Sequence, residues 1–193
     1  MSYPKIWFLR HGQTEWNAVR RIQGQLESQL SEQGRWHAAE QAKIMEPILA
    51  EHMPKCIASP LVRAFDTATV ALGGYPFETD VELMEIHAGD WQGLYYDDVL
   101  ARWPDQVNAD MTALELFANA PGGEGFAAFR TRIQRVLDRV TEPTVIVAHG
   151  LWGQVARAIL RGLDDPDMRR LDNLQGVVYV LENGQETILR APL

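Results

Sequence analysis

The chain has 193 residues, with 26 Asp and Glu against 18 Lys and Arg, for a net charge of −8 with histidine neutral. At 46% hydrophobic and 23% charged residues its composition is globular, which excludes disordered, collagenous and membrane-embedded classes. The acidic balance argues against a nucleic-acid surface, which needs clustered Lys and Arg, and taken alone it discourages any anionic substrate.

Met1 to Leu9 lacks a signal-peptide layout, and no apolar run approaches the ~20 residues of a membrane span, so a cytoplasmic protein without membrane attachment is expected. Within that stretch, Lys5 to Leu9 is a short apolar run that predicts a buried strand. Ser31 is placed to N-cap a helix reaching about Ala50, with Trp36, Ala39, Ala42, Ile44 and Met45 as its apolar side. Cys56 to Ala58 predicts a second strand ending at Ser59-Pro60, and a helix should follow through Ala71. Cys56 is the single cysteine and cannot form an internal disulfide, which suits a reducing cytoplasm. Gly73-Gly74-Tyr75-Pro76 signals a turn, and two short helices are expected between Trp91 and Pro121. Phe126, Phe129, Ile133, Val136, Leu137 and Val140 recur at helical spacing and predict an amphipathic helix over 124–141. Thr144 to Ala148 is the clearest buried strand, followed by a helix from about Leu151 to Leu160. Val177 to Leu181 and Thr187 to Leu189 flank Asn183-Gly184 and predict a hairpin. Strands alternating with helices imply an α/β fold: a three-layer α/β/α sandwich with a mostly parallel central sheet and an antiparallel edge strand. No repeat, linker or low-complexity tract divides residues 1–193, and one domain of this length buries roughly 70% of its unfolded surface without needing a disulfide or metal.

Ligands of open α/β sheets bind beyond the carboxyl ends of the strands. The first predicted strand ends in Arg10-His11-Gly12, the second in Ser59-Pro60 with Arg63 beyond, and the third in His149-Gly150. Singly, each arginine could be a solvated helix flank and each histidine a hydrogen-bonded strand terminator. Their shared position points to phosphoryl transfer. Arginine presents a fork of donors that matches phosphate oxygens, Gly12 would let backbone approach a ligand, and a neutral imidazole can form a covalent phosphoryl intermediate. Arg10, Arg63 and a protonated His149 would stabilise the developing charge. A carboxylic acid near a dianionic phosphate would have a raised pKa suited to protonating the leaving oxygen. Glu85 is the leading candidate, with Asp80 and Glu82 left open on residue chemistry alone.

These residues resemble the histidine phosphatase superfamily, in its phosphoglycerate mutase-like branch. The blocks that carry the resemblance are Leu9-Arg10-His11-Gly12-Gln13-Thr14-Glu15-Trp16-Asn17, Gln23-Gly24 with Leu30-Ser31-Glu32-Gln33-Gly34, and Ser59 to Ala68. Leu83, Glu85, Gly89, Trp91 and Gly93 form a fourth, Pro121-Gly122-Gly123-Glu124 a fifth, and Val147-Ala148-His149-Gly150 the last. The resemblance implies that His11 becomes phosphohistidine, that Arg10, Arg63 and His149 form the phosphate pocket, and that Glu85 is the acid and base. It further implies that Asn17 bonds the phosphoryl group, that Thr14 orders the loop around His11, and that Gln23 and Gly24 contact substrate. A small helical cap at about 91–121 would cover the site, and no metal or cofactor is implied.

Departures from the family pattern bear on specificity. Gln25 stands where an aromatic is common, Gln29 where proline is, Gly125 where serine is, and Leu151-Trp152 where small residues are. Trp152 could narrow the pocket or pack beneath it, with packing favoured. Between Glu85 and Gly125 the acids are Glu85, Asp90, Asp97, Asp98, Asp105, Asp110, Glu115 and Glu124, against Arg102 as the one base. A cofactor-dependent phosphoglycerate mutase would need paired basic residues there for a second phosphate. The expectation is therefore a phosphomonoester phosphatase acting on a small phosphorylated metabolite, with the mutase and a non-catalytic phospho-ligand binding protein as alternatives. No lysine follows glycine in a P-loop, and six residues separate Cys56 from Arg63, one too many for a cysteine phosphatase loop. No serine sits in a nucleophile elbow, and His11, His37, His52, His87 and His149 show no metal-binding spacing.

Overall fold

The computed structural model describes residues 3–192. Its sheet has six strands: β1 (Ile6–Arg10), β2 (Lys55–Ala58), β3 (Glu78–Thr79), β4 (Thr144–Ala148), β5 (Val178–Glu182) and β6 (Gln185–Leu189). They lie in the order β3-β2-β4-β1-β5-β6, and β3, β2, β4 and β1 run parallel while β5 is antiparallel to both neighbours. The β5–β6 turn is Asn183-Gly184, both at positive φ (52° and 75°), the backbone a two-residue hairpin demands.

Among the described residues eight α-helices accompany the sheet: α1 (Glu15–Ala18), α2 (Glu32–His52), α3 (Val62–Ala71), α4 (Tyr96–Arg102), α5 (Ala113–Ala118), α6 (Phe126–Asp138), α7 (Gly150–Arg161) and α8 (Asp165–Arg169). Side-chain alternation along β1 and β4 divides the core in two. Trp7, Leu9, Val145 and Val147 pack with Met45 and Ala68 of α2 and α3. Ile6, Phe8 and Ile146 pack with Phe129 and Ile133 of α6 and Trp152 and Val155 of α7. Residues 91–121 carry α4 and α5 on a separate cluster of Ile22, Trp91, Val99, Val107 and Leu116.

The α/β/α sandwich, its parallel strands and the antiparallel strand near one edge are as the sequence predicts. The apolar side of α2 is not. Ser31 caps the helix, its side chain accepting the Gly34 N–H, but the buried stripe is Gly34, Ala38, Gln41, Ile44, Met45 and Leu49. Trp36 is 53% exposed and Ala39 also faces solvent, because the first turns approach the loop after β1 so closely that only small residues fit there. The sequence reading also lacks α1, α8 and β3, elements of two to five residues that are too short to show a period.

Candidate active site

The register of β1 on β4 creates the site. Arg10 lies opposite Ala148, and the His11 amide donates to the Ala148 carbonyl at 3.0 Å. His11 and His149 therefore leave adjacent strands side by side, with ring centroids 5.2 Å apart. A cleft of about 330 Å3 opens here, lined by Arg10, His11, Asn17, Arg63 and Glu85. Gln23 and Gly24 line it as well, while His149 is fully buried just beneath.

His11 Nδ1 lies 2.7 Å from the Gly12 carbonyl and must donate to it, which leaves the Nε2 lone pair free. Burial, and then the charges of Arg63 and Arg10, hold this imidazole well below the usual histidine range. Arg63 is clamped by the loop before α2, Nη2 donating to the Gly24 carbonyl at 2.7 Å and Nη1 to that of Leu26 at 2.9 Å. Arg10 Nη1 donates to the Asn173 carbonyl. His149 Nε2 is 2.8 Å from the Ser59 hydroxyl. After these bonds Arg10 Nε, Arg63 Nε and His149 Nδ1 remain buried without a protein partner. Burial, then Arg63, His11 and Arg10, also push His149 well down, so its ring is neutral in the ligand-free protein.

Glu85 is separated from its rivals by position. Its Oε2 accepts the Leu151 N–H and its Oε1 that of Trp152, each at 3.0 Å, so the carboxylate closes the N-terminus of α7. Burial raises its pKa despite these bonds and the Arg63 charge. Asp80 and Glu82 instead pair with Arg135 and Arg139 nearer the surface. Thr14 and Asn17 form a capping box on α1, in which Asn17 Oδ1 accepts the Thr14 amide at 3.1 Å. Gln23 is buried with its Oε1 unpartnered.

Two expectations change. Gly12 is needed by α2 rather than by a ligand, since a Cβ there would lie 2.2 Å from the Gly34 carbonyl oxygen. Of the eight acids between 85 and 125, Glu85 alone lines the cleft; Glu124, for example, pairs with Arg132. Trp152, by contrast, packs under the site as favoured, its ring stacked on Phe8 and its Nε1 bonded to the Glu82 carbonyl at 3.0 Å. Gln25 reaches the Glu85 carbonyl at 3.0 Å and does not line the cleft.

Sequence reasoning missed Arg21, Phe117 and Asn173, all of which line the cleft. Arg21 stands within a recognised stretch, between Asn17 and Gln23, and its adjacency to Arg20 was the available signal. Asn173 lies on a loop with no motif to mark it. Among the described residues no three His, Cys, Asp or Glu side chains gather as metal ligands, and no helix is long and apolar enough to cross a membrane.

Comparison with known proteins finds relatives in sequence and in fold. A relative from Mycolicibacterium vanbaalenii, glucosyl-3-phosphoglycerate phosphatase, is 39% identical over 180 residues, covering 84% of this chain and 76% of its own. The structure of Bacillus stearothermophilus YhfR superposes with a TM-score of 0.80 at 28% identity, covering 97% of this chain and 96% of that one. Mycobacterial glucosyl-3-phosphoglycerate phosphatase in complex with VO3 gives 0.69 at 29% identity, covering 97% and 98%. The sequence profile of the histidine phosphatase superfamily, branch 1, matches residues 6–191, and the chain belongs to that family.

Proposed function

We propose that the protein is a phosphatase that hydrolyses a small phosphomonoester through a phosphohistidine on His11. The observation that carries this reading is the set of buried, unpartnered nitrogens around His11: Arg10 Nε, Arg63 Nε and His149 Nδ1. A buried donor without a partner is costly, and a phosphoryl group offers acceptors to all three at once. With the Ser59 hydroxyl donating to His149 Nε2, Nδ1 carries the hydrogen that this role needs.

His11 Nε2 attacks phosphorus while the bond to the leaving oxygen breaks, and Glu85 gives its proton to that oxygen as the alcohol departs. The Nδ1–H bond to Gly12 spreads the positive charge that grows on the ring. The carboxylate of Glu85 then takes a proton from water as that water attacks the phosphorus, which frees His11 and inorganic phosphate and returns the proton to Glu85. Arg10, Arg63 and Asn17 hold the equatorial oxygens, each such donor being typically worth ~10²–10³ in rate. Side chains thus supply the positive charge, which supports turnover without a metal. The name of the Mycolicibacterium relative supports a small phosphorylated metabolite as substrate. The buried free thiol of Cys56 suits a reducing, cytoplasmic setting.

Against a mutase, the cap side chains that line the cleft are Ala113 and Phe117, neither of them basic. Against a mere binder, the arginines alone would hold phosphate, whereas His11 and Glu85 add a nucleophile and an acid. The test is a phosphomonoester panel assayed in chelator, with His11→Ala beside the wild type. Turnover by the wild type, with acid-labile, alkali-stable phosphate on it and none on the variant, is expected. Full activity in His11→Ala, or bisphosphoglycerate-dependent mutase turnover matching phosphatase turnover, would overturn the reading.

A further inference from the structure

We propose that Arg21 is a second anion anchor, and that the substrate's leaving group carries a carboxylate close to the phosphoester. This rests on the phosphatase reading and concerns another side chain of the same cleft.

Arg20 and Arg21 are adjacent in sequence and take opposite roles. Arg20 turns outward, 3.7 Å from Asp97. Arg21 lines the cleft. Its Nε donates to the Gly93 carbonyl at 2.6 Å, and its guanidinium lies 3.9 Å from the centre of the Trp16 ring and 5.9 Å from that of Tyr95. A guanidinium held at one nitrogen and stacked on a ring is pre-organised, so its terminal amines lose little freedom when they bind. Among the described residues no carboxylate lies within 4 Å of it. The clamp to Gly93 consumes one donor and leaves the planar fork, which matches a carboxylate.

Charge selects a carboxylate over a second phosphate. In the reactive form, in which Glu85 carries the proton it donates, Arg10, Arg21 and Arg63 are the charged side chains that line the cleft. A phosphoryl dianion with one carboxylate balances them, and a second dianion exceeds them. Size agrees: at about 330 Å3 the cleft is at the small end of metabolite sites, which begin at roughly 300 Å3. Its remaining wall of Ala113, Phe117 and Leu151 is apolar and offers no competing charge.

The experiment compares substrates that differ at one group: O-phosphoserine against O-phosphoethanolamine, and 3-phosphoglycerate against glycerol 3-phosphate. The wild type is expected to favour the carboxylate member of each pair in kcat/KM. Arg21→Gln should lower that ratio about tenfold, the size of one charge-assisted hydrogen bond, and Arg21→Lys should restore part of it. A merely structural clamp would lower both members alike and leave the ratio unchanged, which would overturn the proposal. So would a wild type that shows no preference. Absence of turnover on every phosphomonoester would instead remove the phosphatase reading on which it rests.

Discussion

The carboxylate of Glu85 accepts the backbone N–H of Trp152 at 3.0 Å, tying its own loop to the helix that follows His149. The same oxygen pair also accepts from Leu151 and Ile86. One carboxyl thus closes a helix and lines the cleft, so its structural role and its proposed acid role must be separated by experiment.

Glu85→Gln keeps an acceptor for α7 and removes the proton. For alkyl phosphates, whose leaving oxygen needs that proton, kcat should fall ~10²–10⁴-fold. For p-nitrophenyl phosphate, whose leaving group is stable as the anion, the loss should be much smaller. The wild type should lose rate toward alkaline pH as the acid ionises, later than an ordinary glutamate because burial raises its pKa. Kinetics of both substrates across pH check this, and equal losses on both would refute the acid role.

Arg132 fixes the loop that carries Glu85. It pairs with both oxygens of Glu124 at 2.8 Å and donates to the carbonyls of Glu82 and Met84 at 2.7 Å each. Arg132→Met strips the Met84 carbonyl of its donor and leaves the Glu124 carboxylate only the His87 amide, a loss of about 3 kcal/mol. Denaturant unfolding should show it, together with a fall in kcat at nearly unchanged KM, since Glu85 moves while the phosphate-binding arginines stay. Lower stability with unaltered kcat would show that the loop is held by other bonds.

What was legible in the sequence follows from how local each cause is. β4 announces itself because five successive residues are buried on both faces, and Ser31 announces α2 because a cap is a single-residue signal. Arg10, His11, Arg63 and His149 were legible because strand ends carry ligands in this architecture. Arg21 was not, since its place in the cleft depends on Gly93, seventy-two residues away. The acids after Glu85 misled for the same reason: sequence counts charges and does not show which face they take. Glu124, on Arg132, is the clearest case.

Acid should destabilise the fold through its two buried imidazoles. His11 and His149 have folded pKa values well below the ordinary 6.5, so the unfolded chain binds protons that the folded one does not. Their contribution is complete above pH 6.5 and is lost as pH falls toward the folded values, at up to about 1.4 kcal/mol per pH unit for each proton. Glu85 acts in the opposite sense, since its raised pKa favours the folded state at low pH and that share fades as pH rises through the folded value. Urea unfolding between pH 8 and 5 should show stability declining below 6.5. His149→Gln should decline less steeply, by up to one proton, and an identical slope would exclude this source.

The close approach of Gly12 to Gly34 gives the sharpest steric test. A Cβ on Gly12 would lie 2.2 Å from the Gly34 carbonyl oxygen, and one on Gly34 would lie 1.9 Å from that of Gln13. Both obstacles are backbone, so neither can swing aside, and overpacking of this kind costs roughly 1–3 kcal/mol or more. The Gly12 carbonyl also receives His11 Nδ1–H at 2.7 Å, so displacing it loosens the nucleophile's tautomer and aim. Gly12→Ala should therefore lower both the melting temperature and the kcat of the folded fraction. Gly73→Ala is the contrast: no atom lies within 4 Å of its Cβ, and its φ of +57° adds strain of roughly 1 kcal/mol far from the cleft. That variant should melt lower with unchanged kcat. If Gly12→Ala retained full kcat after correction for folded protein, the loop would have yielded without moving His11, and the coupling between the α2 contact and the nucleophile would be wrong.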